Sequence, residues 1–127
     1  MAQNFFISPP TLSQLAAISV FDCTDELDAN VERYCCNRDV LLEELPKAGF
    51  GALAPADGAF YLYANISSLA SDSEDFCSNL IANTGVAITP GVDFDTNYGK
   101  DFVRFSYAGE TSDITEASRR LKELFLS

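Results

Sequence analysis

Residues 102–107 read Phe-Val-Arg-Phe-Ser-Tyr, the segment that most narrows the choice of fold. Strict alternation predicts a β-strand with Val103, Phe105 and Tyr107 on one face and Phe102, Arg104 and Ser106 on the other. Such a strand needs neighbours in a sheet and a cover over its apolar side. Two further runs can supply the neighbours. One is the aromatic-rich 59–64, opened by Gly58; the other is the short 86–89, closed by Pro90-Gly91. A loop rich in Gly, Asp and Asn joins 86–89 to 102–107, which is compatible with antiparallel pairing.

Helix signals surround these strands. Pro9-Pro10 precedes Thr11, and Gln14 sits at capping-box spacing. The helix that follows carries Leu12, Leu15, Ala16, Ala17, Ile18, Val20 and Phe21, with no charge before Asp22. A helix apolar nearly all round expects protein on more than one side, and a second copy of the chain is one candidate cover. Thr24 or Asp25 caps a longer helix to about Leu45, with a stripe of Leu27, Val31, Tyr34, Cys35, Leu42 and Leu45, ended by Pro46 and Gly49. Ser71 and Glu74 form a capping box before a third helix that points Phe76, Cys77, Leu80 and Ile81 inward and stops at Gly85. Asp113 and Glu116 open a last helix whose buried face is Ile114, Ala117, Leu121, Leu124 and Phe125. The expected fold is α+β. A small, mostly antiparallel three-stranded sheet has helices packed on one face and an apolar helix before it.

A chain of 127 residues allows one ordinary domain, and 47% apolar against 21% charged residues is a globular balance. Nineteen acids against eight bases leave a net charge of −11, which argues against nucleic acid or an anionic membrane as partner. The N-terminus lacks the basic start and apolar run of a signal peptide, so a cytoplasmic location with reduced thiols is expected. Cys23, Cys35, Cys36 and Cys77 show no Cys-x-x-Cys spacing and the chain has no His. Neither a metal site nor His-dependent nucleophilic catalysis is expected. Asn65-Ile66-Ser67 matches a glycosylation sequon but carries no weight without a secretory signal.

Arg104 is the residue of most interest. A guanidinium on a rigid strand offers a planar fork that fits a carboxylate; the plainer reading is a surface Arg paired with one of the nineteen acids. Asp93, Asp95 and Asp101 surround Phe94 in the loop that precedes this strand, with spacing unlike an EF-hand, and read as solvated acids. Tyr61 and Tyr63 share a strand face and either line a pocket or pack.

In order, these segments resemble the C-terminal part of class I/II, fold-type I aminotransferases, which depend on pyridoxal phosphate. The resemblance rests on Phe-Ile-Ser-Pro-Pro-Thr-Leu-Ser-Gln-Leu-Ala-Ala (6–17), Asn37-Arg38-Asp39 followed by Leu41-Leu42, and Pro55-Ala56-Asp57-Gly58-Ala59-Phe60-Tyr61. Its two most specific motifs are Gly-Val-Ala-Ile-Thr-Pro-Gly-Val-Asp-Phe (85–94) and Phe-Val-Arg-Phe-Ser-Tyr-Ala (102–108).

The resemblance implies that Arg104 binds the substrate's α-carboxylate and that Gly91 and Phe94 lie at the mouth of the active site. Many family members have Gly where this chain has Asp95. It also implies that residues 1–24 lead in from a large domain and 25–127 form the small domain. Lys47, Lys100 and Lys122 match no Schiff-base motif. The catalytic Lys and the cofactor's phosphate-binding residues are therefore expected upstream, in a large domain that this fragment lacks. On that view the fragment alone binds no pyridoxal phosphate, holds no catalytic residue, and serves an enzyme, usually dimeric, acting on an amino acid and a 2-oxo acid. The alternatives are a freestanding carboxylate-binding module and an interaction domain docking through its first helix.

Overall fold

The computed structural model describes residues 8–126. Phe6 and Ile7 of the first resembling stretch, and the residues read for a leader, lie outside the described residues. The chain divides into two compact units, Met1–Glu32 and Arg33–Ser127. The first holds α1 (Thr11–Ile18), a 3-10 turn (Val20–Asp22) and the start of α2 (Thr24–Lys47). Pro10 sits at the N-cap of α1 without a side-chain bond, and Gln14 Nε2 donates instead to Pro9 O at 2.7 Å. The described apolar residues of this unit are exposed, Leu12 at 79% and Phe21 at 80%.

In the second unit a four-stranded antiparallel sheet has the order β1-β2-β4-β3, with β1 at Ala52–Leu53, β2 at Tyr61–Asn65, β3 at Thr89–Pro90 and β4 at Phe102–Ser106. Helices α3 (Ser73–Thr84) and α4 (Thr111–Leu126) complete the fold. The α+β class and the packing of helices on one face agree with the sequence reading. Leu62, Ala64, Val103 and Phe105 on the inner face join Leu41, Leu45, Phe76, Leu80 and Leu121 in one core. Phe50, fully buried, meets Phe76, Phe105 and Phe125 edge-on at ring separations of 6.1, 5.3 and 5.6 Å.

Five details correct the expectation. The sheet has four strands rather than three, because Ala52–Leu53 pairs with Ala64–Asn65. The strand expected over 86–89 shrinks to Thr89–Pro90. Gly85 closes α3 at φ 71°, Thr84 Oγ1 accepts the Val86 N–H, and 86–88 leaves the helix on a path apart from β4. A cleft of about 330 Å³ opens there, lined by Val86, Ala87, Ile88, Phe105, Ser106 and Ile114 among others. In α2 the buried positions are Asn37, Leu41 and Leu45, while Leu27, Val31, Cys35 and Leu42 are exposed. The cap of α3 is Asp72, not Ser71. Ile81 and Leu124, expected inside, are also exposed.

Candidate functional site

Alternation along β4 puts Arg104 on the sheet's outer face, opposite Tyr63 on β2 and Thr89 on β3. Tyr61, a diagonal neighbour on the same face, lies beneath the guanidinium, whose carbon is 4.0 Å from the ring centroid. Phe94, from the loop after β3, covers it from another side at 4.2 Å. The Nη2 of Arg104 reaches Thr89 Oγ1 at 3.5 Å, the limit of a hydrogen bond, and its Nε is buried with no protein acceptor.

Charge makes this arrangement informative. Among the described residues Arg33, Arg38, Lys47, Arg119, Arg120 and Lys122 all pair with carboxylates, and of the other two cations Lys100 is exposed while Arg104 is partly buried. Arg104 pairs with none, in a chain of nineteen acids. Two rings lie close against the guanidinium and limit its freedom, a cation–π arrangement in the range of about 0.5–2 kcal/mol per ring. What remains for a ligand is an edge of N–H donors, which matches the two oxygens of a carboxylate.

The sequence-predicted residues sit as follows. Arg104 and Phe94 are in contact, with Phe94 54% exposed. Gly91 is buried at the foot of the loop, under the Tyr63 hydroxyl. Tyr63 stacks parallel on Phe102 at 4.9 Å; burial, and then the Asp95 carboxylate, push its phenol above the ordinary value. Asp95 is tied down, its Oδ1 accepting from the N–H groups of Asn97 (2.8 Å) and Tyr98 (3.2 Å). Thr89 was missed as part of the site, while Tyr61, which the sequence leaves as either pocket-lining or packing, lies against the guanidinium. Tyr61 was within reach of sequence reasoning, since antiparallel pairing of 59–64 with 102–107 places one outer face beside the other.

Fold and site together define an α+β domain organised around one strand-borne cation held between aromatic rings. The family model for aminotransferase class I and II matches residues 1–121, and the chain belongs to that family. It is 55% identical over 120 residues to the valine–pyruvate aminotransferase of Mycobacterium tuberculosis, covering 93% of this chain and 31% of that protein. It is 33% identical over 127 residues to the aspartate aminotransferase of Sulfurisphaera tokodaii, covering 97% and 32%. A solved aminotransferase structure from Mycobacterium tuberculosis superposes with a TM-score of 0.89 at 53% identity, over 97% of this chain and 32% of that one. The chain spans about a third of the length of the curated relatives it matches, and it corresponds to their C-terminal part, the small domain.

Proposed function

We propose that this chain supplies the substrate-carboxylate-binding face of a pyridoxal-phosphate-dependent aminotransferase, with Arg104 as the clamp. Residues 1–24 would lead in from the large domain, and 25–127 would act as the small domain. The observation that carries the reading is Arg104 itself, ring-clamped and free of any carboxylate partner among the described residues. Tyr61 and Phe94 hold the guanidinium in one orientation, so a bound amino acid or 2-oxo acid is fixed by its carboxylate and its reacting carbon is presented in one pose. The cofactor supplies the group that carries the amino nitrogen and the ring that takes up carbanion charge.

The residues of this chain fit the substrate rather than the cofactor. Lys47 and Lys122 are both paired with Glu44, and Lys100 is exposed on the outside of its turn. The chain alone is therefore expected not to transaminate. The exposed apolar residues of α1 support a covering large domain or second copy in the complete enzyme. The valine–pyruvate name of the 55% identical relative makes a neutral aliphatic amino acid with pyruvate the first pair to assay. Arg104→Lys in the complete enzyme keeps the charge but loses the fork. Steady-state kinetics should show kcat/KM falling by roughly 10- to 100-fold. An unchanged value would remove Arg104 from the site.

A further inference from the structure

Phe94 is held over Arg104 by a loop whose two ends meet at glycines. Gly91 and Gly99 are both buried, and neither has a positive φ, so what these positions require is room rather than an unusual backbone conformation. A Cβ on Gly91 would lie 2.6 Å from Phe102 O and 2.6 Å from the Tyr63 hydroxyl, and closer still to Gly99 O. A Cβ on Gly99 would lie 2.5 Å from Val92 N and closer still to the carbonyl carbon and oxygen of Gly91. Most of these obstacles are backbone, which cannot swing aside as a side-chain tip can. The Gly91 oxygen is also the acceptor for the N–H groups of Phe94 (2.9 Å) and Asp95 (3.0 Å), while Gly99 N–H donates to Asp95 O at 3.0 Å. The atom that a Gly99 side chain would displace is thus the atom from which Phe94 hangs.

We propose that Gly99, through its backbone contact with Gly91, is a positioning residue for Arg104: it closes the 91–99 loop and thereby seats the Phe94 ring on the guanidinium. The ligand-binding consequence rests on the carboxylate-clamp reading above; the seating does not.

Nuclear magnetic resonance on the full chain separates the two. The readout of seating is the ring-current shift that Phe94 imposes on the Arg104 side-chain protons, with Phe94→Leu defining its absence. Gly99→Ala should move that shift to the Phe94→Leu value and weaken acetate binding by about two- to fivefold, the worth of one exposed cation–π contact. Gly109→Ala, where a Cβ would meet open space, should leave the shift in place. Asp95→Ala deletes the bonds to Asn97 and Tyr98 but keeps the glycine contact, and should also retain the shift. A wild-type shift in Gly99→Ala overturns the proposal. So does its loss in Asp95→Ala, the deciding result if Gly99→Ala does not fold. A shift lost in Gly99→Ala in a chain that binds no acetate upholds the seating and removes the carboxylate reading.

Discussion

Asn37 is the polar residue on which the core depends. It is fully buried, and its Nδ2 donates to Tyr107 O at 3.0 Å and to Gly109 O at 2.9 Å, tying α2 to the chain just after β4. Tyr107 in turn donates through its hydroxyl to Ala59 O at 3.2 Å, and its N–H binds Phe60 O at 2.9 Å, so the entry to β2 is held by the same group of residues. Replacing Asn37 with Ala strands two carbonyls and should cost roughly 2–4 kcal/mol, read as a lower urea midpoint with unchanged slope. Asn37→Asp should be at least as damaging, because a carboxylate would face the two carbonyl oxygens; a milder effect would contradict this account. Cys77 is a second residue defined by its surroundings: burial, and then Asp93, push its thiol up to about 11. The other three thiols are exposed.

Among the elements, α3 shows how a cap is chosen. Asp72 adopts an extended conformation (φ −148°, ψ 126°) and accepts from Glu74 N at 2.9 Å and Asp75 N at 3.0 Å. Ser71 also lies at capping-box spacing, but the carboxylate one residue on meets two N–H groups of the first turn. Asp72→Ala should lower stability by about 1 kcal/mol, measured by thermal melting, while Ser71→Ala should change it by far less. Equal effects would return the cap to Ser71. The same helix carries Phe76, Cys77 and Leu80 into the core, so its cap also bears on the core that backs β4.

At the scale of the whole molecule, excess negative charge is the dominant electrostatic fact, and α4 concentrates the compensating cations. Hydrogen bonds from Arg119 and then Arg120 hold the Glu116 carboxyl down to about 2 from an ordinary 4.5. A depressed folded-state value contributes stability that is present above about pH 4.5 and is lost as the pH falls through about 2. Acid titration of wild type against Glu116→Gln should show a stability gap near neutral pH that closes across that window. High salt should narrow the gap, because the pairs are at the surface. A gap independent of pH would refute the assignment.

What the sequence determined by itself was local. Period-two alternation in 102–107 set the inward and outward faces of β4, burying Val103, Phe105 and Tyr107 and placing Arg104 outside, because side-chain direction in a strand follows from the backbone alone. The stop of α3 at Gly85 and the order of the elements other than β1 were legible for the same reason, as was the family, through motifs such as 85–94 and 102–108, whereas the caps of α1 and α3 were not. Tertiary structure decided the phase of α2. Helical spacing permits more than one stripe, and only Tyr107 O and Gly109 O turn Asn37 inward in place of Leu42. It also decided how far β3 runs, since the departure of 86–88 from β4 depends on how α3 ends. It assembled the cation's surroundings from three stretches of chain, with Tyr61, Thr89 and Phe94 meeting at Arg104. Those contacts join residues far apart in sequence, and only the folded packing brings them together.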